Sequence, residues 1–157
     1  MGITELLHPE AIVLQMEARN STQVIEKLGG ILNRLGFVKD GFVEATLARE
    51  ASMPTGLPLG GDVNAAIPHV DIEYVRRPAL ALATLKKPVV FHNMVEPEEE
   101  VPVRLVIMLA LDKPKSQIEM LQQVAGILQK PEIVSRLVSA ATPEEVFSVL
   151  EELEAPA

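Results

Sequence analysis

The sequence predicts an α/β fold of three layers: a mixed sheet of about five strands with helices on both faces. Three observations carry that reading. Short apolar runs bounded by turn residues, at 12–16, 65–67, 79–85, 89–92 and 103–111, read as strands. Segments with apolar residues at helical spacing stand both before and after these runs. The most hydrophobic run, 103–111, is too short for a membrane span and reads as a central strand buried on both faces, which calls for helices above and below it. A length of 157 residues fits one domain over 1–157, with no repeat, low-complexity segment or linker.

The elements follow in order. Residues 3–9 read as a lead-in to the first strand. Asn20 and Ser21 offer an N-cap, and Val24, Ile25, Leu28, Ile31, Leu32 and Leu35 follow at helical spacing until Gly36 closes the helix. Gly29 and Gly30 inside it either weaken the helix or let a neighbour pack closely. Asp40 is expected to cap a second helix over 41–50, with Phe42, Val43 and Leu47 buried. Two prolines and three glycines between Pro54 and Gly61 exclude a helix there. Residues 70–78 read as an exposed connection, Lys86 and Lys87 as a turn between two strands, and Glu96–Glu100 as a solvated acidic loop. Three helices close the chain. The first starts at Ser116 with Ile118, Leu121, Val124, Ala125 and Leu128 inward. The second has Pro131 in its first turn and Ile133, Val134, Leu137 and Val138 inward. The third opens on Thr142-Pro-Glu-Glu145, a capping-box pattern, with Val146, Phe147, Leu150 and Leu153 inward. Residues 155–157 are expected to fray.

Composition narrows the function. With 14 basic and 22 acidic side chains the net charge is -8, which disfavours nucleic acid and anionic membranes as partners. Small molecules, or a protein with a basic docking patch, remain. The chain has no cysteine, so thiol catalysis, disulfides and Cys-ligated metals are excluded. The first eight residues lack a basic region followed by a long apolar core, and Leu6 stands where myristoylation needs Ser or Thr; a cytoplasmic protein is expected. His8, His69 and His92 are far apart in sequence, and no P-loop, dinucleotide or nucleophile-elbow motif occurs, so no metal or cofactor is expected.

The stretch from Ser52 to His69 is where chemistry is best placed. A Pro/Gly-rich loop runs into a short buried strand, Pro68 ends that strand, and His69 sits at its mouth. A neutral imidazole is a nucleophile toward phosphorus when one nitrogen keeps its lone pair and the other N–H is pinned by a carbonyl. Taken alone, His69 reads first as a structural histidine at a strand end. Arg49 is either a phosphate ligand beside the loop or a solvated helix-end arginine. Asp62 orients or repels at the site, or caps the loop. His92 is a second imidazole or a strand-edge residue, and the methionines read as core filler.

The chain-wide pattern adds to this. Ala48-Arg-Glu-Ala-Ser-Met-Pro-Thr-Gly56, followed by Ala65-Ala-Ile-Pro-His69, resembles the phosphorylation-site signature of the fructose/mannitol-type IIA domains of the phosphoenolpyruvate-dependent sugar phosphotransferase system. The resemblance extends through 75–91, the strand 103–111 and the helix after it. The Pro54-Thr-Gly56 block with a longer following loop, Lys113-Pro, Gln117-Ile-Glu-Met-Leu121 and Gln129-Lys-Pro-Glu-Ile-Val134 are similar to the galactitol-type proteins. The resemblance implies a phosphotransferase in which phosphorylated HPr donates to His69. His69 then passes the phosphoryl group to a cysteine of a IIB component, which works with a membrane IIC in uptake of a sugar or sugar alcohol. It implies that Arg49 stabilises the phosphoryl group, that Thr55 and Gly56 form the loop beside the histidine, and that Gln117 supports it where many members have a second histidine. Some members carry a glutamate ahead of the histidine, for which Asp62 is an uncertain stand-in. An apolar docking patch is expected at Leu57, Pro58, Leu59 and Val70. The alternative is a regulatory IIA-like protein whose phosphorylation state controls a transporter, kinase or transcription regulator.

Overall fold

A computed structural model describes residues 2–60 and 63–154. The chain runs α1 (Ile3–Leu6), β1 (Leu7–Met16), α2 (Ser21–Arg34), α3 (Phe42–Ser52), β2 (Gly56–Leu57), β3 (Asn64–Ala66), β4 (Ala79–His92), β5 (Glu100–Ala110), α4 (Pro114–Leu128), α5 (Pro131–Ser139) and α6 (Pro143–Glu154). The strands lie in the order β1-β4-β5-β3-β2. β1 is parallel to β4 and β3 to β5, whereas β4–β5 and β2–β3 are antiparallel. The mixed, five-stranded sheet expected from the sequence is therefore present, with β5 at its centre.

Alternation along the strands explains the layers. In β4, Leu80 and Leu82 point to one face and Ala79, Ala81 and Ala83 to the other. The leucine face joins Leu105, Ile107 and Leu109 of β5 and packs under α1 and α4–α6. The alanine face takes Val24, Ile25, Leu28 and Leu32 of α2. Small side chains there let the helix axis come close. Within α2, a Cβ on Gly29 would lie 2.7 Å from Val43 Cγ2, so this glycine admits α3 against α2.

Two helix N-termini carry the side-chain caps that the sequence offers. Asn20 Oδ1 accepts the Gln23 N–H at 3.0 Å. At α6, Thr142 Oγ1 accepts the Glu145 N–H at 3.2 Å and Glu145 Oε2 accepts the Ala141 N–H at 3.0 Å.

Several expectations are corrected. The lead-in over 3–9 contains α1 and the first residues of β1, because Leu7 pairs with Leu80. Asp40 does not cap α3: Gly41, in the left-handed region at φ 95, is the N-cap, and Asp40 Oδ1 accepts from Asn33 Nδ2 at 3.2 Å. Lys86 and Lys87 make no turn. β4 runs on through them, with its register to β5 shifting between Thr84 and Val89. Pro88, which has no N–H to give, falls inside this shift, and Arg104 Nε bonds the Leu85 carbonyl there at 3.1 Å. The connection 70–78 is tethered rather than free. Val70 and Val75 are buried, Val75 bridges to Val38, and the Arg76 N–H bonds the Phe37 carbonyl at 2.8 Å. On α4, Ile118 is 58% exposed and Met120 is buried in its stead. The tail 155–157 lies outside the described residues.

Candidate functional site

β3 is three residues long, yet all three are buried between β5 and β2. Past its end the Pro68 carbonyl still accepts the Leu109 N–H at 3.0 Å, so the ladder to the central strand holds the backbone up to His69. The His69 side chain turns back, and its Nδ1 lies 2.8 Å from the Ile67 carbonyl oxygen. A carbonyl only accepts, so Nδ1 carries the proton and Nε2 keeps a lone pair. Burial pushes the imidazole below the ordinary histidine value of 6.5; the Ile67 bond opposes this, nearby Arg49 adds to it, and Asp71 opposes it. His69 is 8% exposed and neutral at pH 7.

His69 opens into a cleft of about 570 Å3. The end of α3 supplies Arg49, Ser52 and Met53, the following turn Pro54 and Thr55, β2 Leu57, the β4–β5 hairpin Met94 and Pro97, and α4 Leu121, Gln122 and Ala125. The walls are mostly apolar, with the imidazole and the guanidinium among few polar groups.

Arg49 and His69 are thus brought together. Arg49 Nη1 bonds Asp71 Oδ1 at 3.2 Å, and Arg49 Nε is buried with no hydrogen-bond partner among the described residues. A buried unpartnered donor costs about 1–3 kcal/mol, so its presence here marks a guanidinium with bonding capacity left for an anion.

Thr55 also lines the cleft, but its own donors point away from it. Its N–H and hydroxyl both go to Glu50, at 2.8 Å each. Gly56 pairs with Ala66 and bridges to Asn93, and its carbonyl accepts the Met94 N–H at 2.8 Å. A Cβ at Gly56 would stand 2.5 Å from the His92 carbonyl oxygen, so only glycine lets β2 approach the β4–β5 hairpin this closely.

Gln117, near the start of α4, is half-buried and is not among the residues lining the cleft, whereas Gln122 is. Asp62 lies outside the described residues. His92 Nδ1 bonds the Pro97 carbonyl at 2.9 Å, and His8 Nδ1 accepts the Glu10 N–H at 3.1 Å. Of the expected apolar patch only Leu57 reaches the cleft. Leu59 packs against the leucine-face core, and Val70 is buried on the alanine face. Met53 and Met94, read as core filler, are instead 57% and 38% exposed at the cleft. Their exposure has no signal in local sequence. Glu50 was missed as an individual residue, although it stands next to Arg49 in the Arg-Glu pair of the signature.

Known proteins resemble this chain over most of its length. The galactitol-specific EIIA component of Escherichia coli is 32% identical over 118 residues, which cover 75% of this chain and 77% of that protein. The 2-O-alpha-mannosyl-D-glycerate-specific EIIABC component of the same organism is 31% identical over 157 residues, covering 97% of this chain and 23% of that protein, so this chain spans under a quarter of its length. The crystal structure of the nitrogen regulatory protein IIA-Ntr from Neisseria meningitidis superposes with a TM-score of 0.75 at 28% identity, over 94% of this chain and 98% of that one. The family model for the phosphoenolpyruvate-dependent sugar phosphotransferase system, EIIA 2, matches residues 5–153, and the chain belongs to that family.

Proposed function

We propose that this IIA component is a phosphoryl relay acting through His69. The observation that carries the reading is the 2.8 Å bond from His69 Nδ1 to the Ile67 carbonyl, which leaves Nε2 as the nucleophilic nitrogen in a cleft shared with Arg49. Nε2 attacks the phosphorus of the phosphohistidine on HPr. The new N–P bond forms as the donor's N–P bond breaks, and the donor imidazole leaves with its electron pair. A cysteine thiolate of a IIB component then attacks the same phosphorus, an S–P bond forms, and His69 recovers its lone pair. Arg49 neutralises the phosphoryl oxygens during both steps, and catalysis is otherwise positioning. The apolar walls suit a surface that meets two partners in turn. The galactitol EIIA likeness supports a sugar or sugar alcohol of that kind as the transported substrate, through a membrane IIC.

A second reading is favoured by the likeness to the nitrogen regulatory protein: the same phosphohistidine controls a transporter, kinase or transcription regulator. Incubation with phosphoenolpyruvate, enzyme I and HPr tests both. The relay predicts acid-labile, base-stable phosphate on the wild type, none on His69→Ala, and onward transfer to a IIB cysteine. Labelling without transfer to any IIB supports the regulator. A folded wild type that takes no label defeats both.

A further inference from the structure

The contacts behind His69 reach further than its own hydrogen bond. Glu50 stands in the last turn of α3 and lines a second cavity, of about 330 Å3, together with Ser21, Thr22, Phe91 and His92. Its carboxylate is committed to Thr55. Oε2 accepts the Thr55 N–H and Oε1 accepts the Thr55 hydroxyl, both at 2.8 Å. The Thr55 carbonyl accepts the Ile67 N–H at 3.3 Å, and the Ile67 carbonyl accepts the His69 Nδ1–H at 2.8 Å. Two residues therefore link the carboxylate to the imidazole. The link is mechanical rather than electronic: the N–H and C=O of one residue belong to different peptide units, so position is what passes along it. Burial pushes the Glu50 carboxyl above its ordinary value, against the lowering effect of its Thr55 bonds and of His92. A carboxylate kept at that cost, linked to His69 through Thr55 and Ile67, calls for a role that an apolar residue could not fill.

We propose that Glu50 is a positioning residue. By clamping Thr55 through backbone and hydroxyl together, it holds the Ile67 carbonyl that sets the tautomer and orientation of His69. This rests on His69 being the phosphoryl acceptor, but the tautomer can be read without any phosphate. The bidentate clamp needs the reach of a glutamyl side chain and two hydrogen-bonding heads. Glutamine keeps both, since its amide oxygen accepts the Thr55 N–H and its amide N–H donates to the Thr55 hydroxyl. Alanine keeps neither. Valine at position 55 removes the hydroxyl bond alone.

The test uses the full chain with 15N-labelled histidine. Two-bond 1H–15N correlations at pH 8 report the tautomer of each imidazole, with the His69 signals assigned by their loss in His69→Ala. Wild type and Glu50→Gln are expected to show His69 protonated on Nδ1 only. Glu50→Ala is expected to show both tautomers and to accept phosphate roughly 10-fold more slowly. Thr55→Val should move both readouts the same way by less. A wild-type tautomer and rate in folded Glu50→Ala overturns the proposal. If that variant does not fold, the same result in Thr55→Val overturns it. If the tautomer changes as expected while the wild type takes no phosphate, the relay reading fails and the positioning role stands.

Discussion

The sheet interior and the β2–β3 edge are buried by different means. Between the sheet and its helices, the leucine face of β4 and β5 and the alanine face under α2 exclude water with apolar side chains almost without interruption. At the edge the buried residues include Thr55, Asn64, His69 and Asn93. Each has a named partner: Thr55 has Glu50, His69 has the Ile67 carbonyl, and Asn93 Oδ1 accepts the Val95 N–H at 2.8 Å. Asn64 accepts the Leu59 N–H at 2.9 Å and donates to the Pro102 carbonyl at 3.0 Å. The interior is held by area, which is additive and indifferent to direction. The edge is held by directed bonds, which do little for net stability but define where atoms sit. Stability and chemistry are thus carried by separate parts of one sheet, and mutations should separate them.

The largest effect on stability is expected in the interior. Leu105 is fully buried in β5, and Leu105→Ala should lower the unfolding free energy by about 2–5 kcal/mol. Urea denaturation measures this. The folded variant should accept phosphate at the wild-type rate, and a collapse of that rate would show that the interior and the edge are not separable. Arg49→Ala should do the reverse. Its ion pair with Asp71 is partly exposed, so the loss of stability should stay below about 1 kcal/mol. Transfer to His69 should slow roughly 10²-fold with the phosphoryl charge left uncompensated. Unchanged stopped-flow kinetics would remove Arg49 from the site.

A smaller effect sharpens the comparison through pH. Only the neutral imidazole is a nucleophile, and burial, aided by Arg49, holds the pKa of His69 below 6.5. As the pH falls, protonation of the imidazole is centred on the acid side of 6.5. The acceptance rate should therefore decline on acidification with a midpoint on the acid side of the ordinary histidine value. A decline centred above 6.5 would mean that the imidazole is not desolvated as the cleft geometry requires.

The same division explains what could be read from the sequence. Strand and helix periodicity reports apolar burial: the inward face of α5 was legible residue by residue, β4 only as two apolar runs, and α6 in part, with Val149 buried though unnamed and Phe147 only partly so. The misplaced pieces are those where a few directed contacts override pattern. Arg104 bonds the carbonyls of the β4 irregularity, so two lysines flanked by apolar runs read as a turn when the strand continues. Ile118 is apolar at helical spacing, yet α4 is rotated so that Met120 goes in. At the site, His69 and Arg49 could be nominated by residue type and by the family resemblance. Their proximity depends on where β3 and the end of α3 meet, which no local pattern encodes. Glu50 was hidden because its role depends on Thr55, five residues on, at the turn where helix becomes strand. Met53 and Met94 were misread because apolar composition does not distinguish a core from a docking rim.

The central claim is that Nε2 of His69 is the atom that takes the phosphoryl group, because Nδ1 is held by the Ile67 carbonyl. Phosphorylation of 15N-histidine-labelled protein by phosphoenolpyruvate, enzyme I and HPr, followed by 31P–15N correlation, reads this bond directly. A phosphorus coupled to Nε2 of His69, with Nδ1 still protonated, is the expected result. Coupling to Nδ1, or to His8 or His92, would contradict it.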